Sequence, residues 1–157
     1  MPTVEKTVEI SAPLESVWKI ASDSANLVKL YPDAITIEAD PPGFASVGQK
    51  GHMVTKIGGR KTDVFYECSE IIENKKATFT QRPGGLFNSF LITSSFEPTK
   101  KGKTLATQKL DYELSMGYLG KVLNKLVVDR SIRKNVNAFL LNLKEIAELK
   151  DVPTKKS

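Results

Sequence analysis

Residues 118–149, YLGKVLNKLVVDRSIRKNVNAFLLNLKEIAEL, decide the fold. This stretch contains no proline, and its apolar residues return every three or four positions, as on one face of an α-helix. Such a helix would be about 48 Å long. Its apolar face needs a partner, because helical propensity alone seldom holds a helix in water. We therefore predict one long C-terminal helix that packs against the elements preceding it.

The chain before this helix reads mainly as strands. Residues 4–10 (VEKTVEI) predict a first strand, Pro13 opens a short helix, and residues 25–31 predict a second short helix that ends at Pro32. A strand over residues 34–39 and a loop over residues 40–48 (DPPGFASVG) follow. Trp18 is predicted to pack between elements. Phe44 either caps a pocket or is an incidental loop aromatic.

Glycine-rich turns set the register of the later strands. The turn GGRK at residues 58–61 predicts these cross-strand pairs: Ile57 with Thr62, Lys56 with Asp63, and His52 with Glu67. The turns at residues 83–85 and 100–103 extend the same alternation, so five strands share one inner face. This register points His52 outward, away from any site.

Uncharged polar side chains stand among the apolar residues of this inner face. Without a hydrogen-bond partner each would cost about 1–3 kcal/mol in a dry core. They either pair with one another and with buried water, or they provide the polar contacts of a mostly apolar pocket. The candidate ligand-binding residues on this face are Met53, Tyr66, Phe79, Gln81, Asn88, Phe90, Ser94, Gln108, Leu110 and Tyr112.

The long helix adds four candidates. At about 100° per residue, the apolar face of the C-terminal part of the helix also includes Leu126, Asp129 and Arg133. Arg130 is predicted to lie at the rim of the pocket. Asp129 and Arg133 are four positions apart, acid first, which favours an ion pair. The pair is either solvated at an open mouth, or Asp129 holds Arg133 toward a ligand carboxylate or carbonyl, which a guanidinium suits.

Composition limits the class of protein. The 157 residues, 40% hydrophobic and 26% charged, predict a single soluble domain over residues 1–157, with flexible ends at 1–2 and 151–157. No apolar run is long enough to span a membrane, and the polar N-terminus lacks a signal peptide, so we expect a cytoplasmic protein. Cys68 is the one cysteine. No metal-ligand spacing or phosphate loop is present, and we predict no metal, cofactor or catalytic residue.

The positive charge is concentrated at the C-terminal end. Residues 118–157 carry nine Lys/Arg and four Asp/Glu, which accounts for the whole net charge of +5. This end is either a solvated helix face or a surface for an anionic partner such as lipid or nucleic acid.

The order of the motifs points to a family. The motifs, in chain order, are Ala12-Pro13, Val17-Trp18, Pro32, Val47-Gly48 and Phe96-Glu97-Pro98, and the long helix follows them. In this order the chain resembles the START-like helix-grip superfamily (SRPBCC, polyketide cyclase and birch-pollen-allergen-like proteins). The resemblance implies an α+β helix-grip fold: a curved antiparallel sheet of about seven strands with two short helices and one long C-terminal helix enclosing a cavity.

The resemblance leaves three functions open. The first is binding or transport of a bulky, mostly apolar small molecule, such as a lipid, an isoprenoid or a polyketide-like compound. The second is a cyclase or aromatase, which needs a general acid or base near its substrate. The third is an interaction module that uses the basic helix against a ribosome, a membrane or a protein. We favour non-enzymatic binding, because the sequence offers only Tyr66, Tyr112 and the charged pair of Asp129 and Arg133 as a general acid or base near a ligand.

Overall fold

The computed structural model describes residues 2–57, 59–115 and 125–156, with side chains through residue 150. Its elements follow in this order: β1 (Thr3–Ile10), α1 (Leu14–Ser22), a 3₁₀ turn (Ser24–Asn26), α2 (Leu27–Leu30), β2 (Ala34–Asp40), β3 (Lys50–Ile57), β4 (Arg60–Ile72), β5 (Lys76–Gln81), β6 (Phe87–Pro98), β7 (Thr104–Leu114) and α3 (Lys125–Lys156).

The strands form one curved antiparallel sheet of seven, in the order β1-β7-β6-β5-β4-β3-β2. Helix α3 contacts β1, β7 and β3 and also packs against α1 and α2. Apolar side chains alternate along the strands, so one face of the sheet is buried toward α3. The predicted helix-grip fold is confirmed.

The buried face of α3 differs from the prediction in the first turns of the helix. The buried residues there are Val128, Ile132 and Val136, whereas Leu126 is 65% exposed. The prediction assumed a straight apolar stripe. The buried line instead follows a row of residues four apart, and such rows run at an angle to the helix axis, so the line winds around the helix. Residues 118–124 of the predicted helix lie outside the described residues.

The β3–β4 hairpin has a tighter register than predicted. Ile57 pairs with Arg60 rather than with Thr62. Only two residues separate the end of β3 from the start of β4, and two is the loop length that hairpins favour. The whole register therefore moves by two residues. A shift of two residues keeps every side chain on its predicted face, whereas a shift of one would have reversed all of them.

The charge pairs predicted from that register are wrong. Lys56 lies opposite Lys61, and His52 lies opposite Phe65 instead of Glu67. The His52 ring stacks on the Phe65 ring at 4.4 Å, and its Nε2 is 2.8 Å from Asp63 Oδ1. His52 is half-exposed on the outer face, as predicted.

Two hydrophobic clusters fill the space between sheet and helices. One lies under the first half of α3 around Tyr66, Phe90 and Ile132, and the other lies under its second half. In the second cluster Trp18 packs edge-on against Phe96 with ring centroids 5.8 Å apart, as predicted for an inter-element contact. Phe44 is 59% exposed and its backbone forms a bridge with Asp23.

Candidate ligand-binding cavity

A cavity of about 130 Å³ lies between α3 and the inner face of the sheet. We call it the main cavity. Strands β2 to β7 each contribute side chains to its lining, and Ile132, Asn135 and Val136 of α3 cover it. A small cavity of about 50 Å³ lies next to it, beneath α1, lined by Trp18, Ala21 and their neighbours.

Six predicted site residues line the main cavity: Met53, Tyr66, Phe79, Phe90, Gln108 and Leu110. They lie on five neighbouring strands, at positions whose side chains face the same side of the sheet. The alternation along each strand, which the turns link from strand to strand, was sufficient to find them.

The other four predicted residues of the sheet do not line the main cavity; Tyr112, one of them, is described with Asp129 below. Ser94 lines the small cavity. Gln81 and Asn88 line an open groove at the end of the β5–β6 hairpin. Asn88 is exposed and donates to Glu113 Oε1 at 3.2 Å, because an irregularity between Phe87 and Ser89 changes the alternation there. The prediction that Asn88 faces the interior is wrong.

The predicted charges of α3 do not enter the main cavity. Asp129 accepts a hydrogen bond from the buried Tyr112 hydroxyl at 2.5 Å, and neither residue lines the cavity. Arg130 and Arg133 are exposed, and among the described residues Asp129 forms no ion pair with Arg133. The hypothesis of a buried Asp129–Arg133 pair is wrong, because the winding of the buried line turns Arg133 outward.

The pKa of Tyr112 reflects this contact. Burial of the phenol and its hydrogen bond to Asp129 both raise the pKa of Tyr112, and the nearby charge of Arg133 opposes them. Tyr112 therefore stays protonated and donates to the carboxylate throughout the physiological range. The two residues tie β7 to the first turns of α3.

The sequence reasoning missed three polar residues of the main cavity: Tyr31, Thr55 and Asn135. Thr55 lies between Met53 and Ile57 on the inner face of β3, so the alternation along that strand was its signal. Tyr31 follows α2, and Asn135 lies between the buried Ile132 and Val136 on α3. A polar residue beside two apolar residues of a helix face was the available signal for Asn135. Tyr31 had no such signal, since its place in the cavity depends on how α2 folds back onto the sheet.

A hydrogen-bonded wall separates the two cavities. Gln108 Nε2 donates to Tyr31 Oη at 3.0 Å and to Ser94 Oγ at 3.3 Å. Tyr31 and Gln108 line both cavities. The Tyr31 ring also packs against Phe139 of α3, with centroids 5.1 Å apart.

Three buried polar atoms of the residues lining the main cavity have no hydrogen-bond partner: Tyr66 Oη, Gln108 Oε1 and Asn135 Oδ1. An unsatisfied buried group costs about 1–3 kcal/mol. Such groups mark places where a ligand with complementary hydrogen-bonding groups would gain free energy.

The main cavity is electrically neutral along its described lining, which contains no Asp, Glu, Lys, Arg or His. Burial raises the pKa of Tyr66 to about 12 and also raises that of Tyr31. Both phenols are therefore protonated and uncharged at neutral pH. The lining suits an uncharged ligand, because an ion would lose its hydration there without gaining a counter-charge.

The sequence of residues 1–148 matches the family described as polyketide cyclase / dehydrase and lipid transport. The chain belongs to this family. Among curated proteins none matches it with significance.

Solved structures share its fold over nearly the whole chain. A protein of Thermus thermophilus is 27% identical, with 92% of this chain and 95% of that one covered and a TM-score of 0.71. A START superfamily protein of Mycobacterium smegmatis is 18% identical, with coverages of 94% and 97% and a TM-score of 0.72. The Zhui aromatase/cyclase of a Streptomyces species is 15% identical, with coverages of 94% and 93% and a TM-score of 0.79.

Neither a membrane-spanning helix nor a metal-binding cluster occurs in the described part of the chain. No helix there is long and apolar enough to cross a membrane. No group of three or more His, Cys, Asp or Glu side chains in the same residues is placed to hold a metal ion.

Proposed function

We propose that this protein binds an uncharged, mostly apolar small molecule in the main cavity. The observation that carries the proposal is a lining of apolar and aromatic side chains in which Tyr66, Gln108 and Asn135 each keep a buried polar atom without a partner. Ligand sites usually combine an apolar wall with a few polar groups that orient the ligand. The family description, which includes lipid transport, supports the same proposal.

The volume of the main cavity bears on the size of the ligand. At about 130 Å³ it is comparable with the cavity of about 150 Å³ that accommodates benzene in an engineered protein. A ring-sized apolar group fits this space. Even with the small cavity of about 50 Å³ added, whose lining also includes Tyr31 and Gln108, the space is too small for a bulky lipid or isoprenoid.

The cavity favours binding over cyclisation. A cyclase needs a group that accepts or donates a proton beside the substrate. Burial raises the pKa of Tyr31 and of Tyr66, so both phenols can donate a proton but neither serves as a base at neutral pH. The described lining offers no carboxylate, histidine or lysine that could accept a proton instead. The carboxylate of Asp129 accepts a hydrogen bond from the Tyr112 hydroxyl, and Asp129 does not line the main cavity.

The interaction module remains a weaker alternative. Exposed basic side chains, including Lys125, Arg130 and Arg133, lie along the first turns of α3. Lys134 pairs with Asp33 at 3.3 Å, so part of this charge is used within the fold. A solvated helix face explains these residues equally well.

Fluorescence titration with 1-aminonaphthalene, an uncharged aromatic probe of two fused rings, tests the proposal. Leu110 is 7% exposed and lines the main cavity, so Leu110→Trp should fill the space and lower the affinity at least about tenfold. Leu105→Trp is the matched control, because Leu105 lies on the same strand but is 36% exposed on the outer face. Native mass spectrometry of the purified protein would show whether a small molecule is retained.

Saturable binding that is lost in Leu110→Trp and kept in Leu105→Trp is the expected result. No binding to the unaltered protein, or an equal loss in both variants, would refute the proposal. Circular dichroism of each variant excludes unfolding as the cause of a loss.

A further inference from the structure

The side-chain amide of Gln108 is held in place by two hydroxyl groups. Gln108 is 1% exposed, and its Nε2 donates to Tyr31 Oη and Ser94 Oγ. Its Oε1 is buried and has no partner. The residue is part of the lining of both cavities. The amide is thus fixed on one side and unsatisfied on the other.

In both possible orientations of the Gln108 amide, one of its two polar atoms lacks a hydrogen-bond partner. Tyrosine and serine hydroxyls donate as well as accept, so a half-turn of the amide keeps both contacts and exchanges its oxygen and nitrogen. One amide atom then still lacks a partner, either an acceptor oxygen or a donor nitrogen. A ligand hydroxyl satisfies both cases, whereas an ether or ketone oxygen satisfies only the nitrogen.

The surrounding side chains exclude a charged alternative. The described lining has no cation to balance a carboxylate or phosphate. Tyr66 Oη and Asn135 Oδ1 provide two more unpartnered polar atoms, both uncharged. A neutral polar group on the ligand is therefore the chemistry that the cavity can satisfy.

We infer that Gln108 is a specificity-determining residue that selects an uncharged, hydroxyl-bearing ligand, with the hydroxyl beside the wall and the apolar part in the main cavity. The inference rests on the proposed function and adds the chemical class of the ligand. It also gives a reason for a buried glutamine in an apolar setting, where leucine would avoid an unsatisfied group.

The test compares three probes of one ring: benzyl alcohol, ethylbenzene, in which a methyl group replaces the hydroxyl, and benzoate. Dissociation constants are measured by ¹⁵N-NMR titration of the full chain at pH 7. A hydroxyl buried without a partner costs about 1–3 kcal/mol, which corresponds to about 5-fold to 150-fold in affinity. An apolar cavity without a partner would therefore prefer ethylbenzene, by about tenfold for a cost of about 1.4 kcal/mol within this range.

In the unaltered protein we expect benzyl alcohol to bind at least as tightly as ethylbenzene, and benzoate at least about tenfold more weakly than either. Gln108→Leu should reverse the preference, so that ethylbenzene binds about tenfold or more tightly than the alcohol. Thr107→Val is the matched control: Thr107 is the preceding residue of β7, and its hydroxyl lies on the outer side with Thr7 at 2.9 Å. This variant should keep the original ratio.

Three results would count against the inference in distinguishable ways. A preference of the unaltered protein for ethylbenzene of tenfold or more overturns the selection of a hydroxyl and leaves the proposed function standing. An unchanged ratio in Gln108→Leu overturns the role of Gln108. Failure of all three probes to bind overturns the proposed function as well. If Gln108→Leu does not fold, the ratio in the unaltered protein decides alone.

Discussion

Replacement of Gly51 by alanine should displace the ring of Tyr66, which lines the main cavity. Gly51 on β3 lies directly opposite Tyr66 on β4, and the phenol ring covers it. A Cβ atom placed on Gly51 would lie 1.9 Å from Cζ and 2.3 Å from Cε2 of Tyr66. Carbon atoms normally approach to about 3.5–4.0 Å. The ring must therefore move away from β3.

Two effects of opposite sign determine the change in stability. Alanine restricts the unfolded chain more than glycine does, which stabilises the fold by about 0.4–1 kcal/mol when the site accepts it. Overpacking costs about 1–3 kcal/mol. The displaced ring would also lose its edge-on contact with Phe79, whose centroid is 5.6 Å away, and such pairs contribute about 0.5–1.5 kcal/mol. We expect Gly51→Ala to destabilise the protein by about 1–3 kcal/mol.

A double-mutant cycle with Tyr66→Ala separates the clash from other effects. Without the ring, Gly51→Ala should be neutral or stabilising by up to about 1 kcal/mol. Urea unfolding followed by circular dichroism gives all four free energies, and titration with 1-aminonaphthalene reports whether the displaced ring enters the cavity. If Gly51→Ala raises the stability of the unaltered protein, or costs the same in both backgrounds, the reasoning from the Gly51–Tyr66 contact is refuted.

Three more predictions concern titratable or polar side chains. Burial raises the pKa of Tyr66 from 10.0 to about 12. The corresponding stabilisation of about 3 kcal/mol is complete below pH 10 and is lost as the pH rises toward 12. Tyr66→Phe should therefore reduce the slope of stability against pH in urea unfolding over this range, to which Tyr31 and Tyr112 also contribute, and an unchanged slope would contradict it. His52→Gln should change the affinity for 1-aminonaphthalene by less than about twofold and the free energy of unfolding by less than about 0.5 kcal/mol, because His52 pairs with Asp63 on the surface. A larger loss of affinity in the fluorescence titration would show that His52 contributes to the site. Tyr112→Phe should lower the free energy of unfolding in urea by about 1.5–3 kcal/mol, because it removes the hydrogen bond to Asp129. Arg133→Gln, at an exposed residue, should change it by no more than about 0.5 kcal/mol. Equal losses in the two variants would show that Arg133 contributes as much as Tyr112 and would contradict this prediction.

The sequence alone determined which elements form and, apart from the irregular start of β6 at Asn88, which side of the later strands faces inward. Alternation along β7 places Gln108 and Leu110 on the buried face, and the neighbouring turns extend that face across five strands. Such patterns are local, because the direction of successive side chains follows from the backbone of the strand itself. For this reason the two-residue error at Ile57 left the inner face unchanged.

Only the tertiary structure decided which side chains meet. Leu126 and Val128 are both apolar, and the path of the buried line over the sheet leaves one exposed and buries the other. The contact between Tyr31 and Gln108 joins residues 77 positions apart. Spacing within one element carries no information about such a contact, since it depends on how α2 and the sheet are packed together. The wall between the cavities, and with it the proposed choice of ligand, arises from that packing.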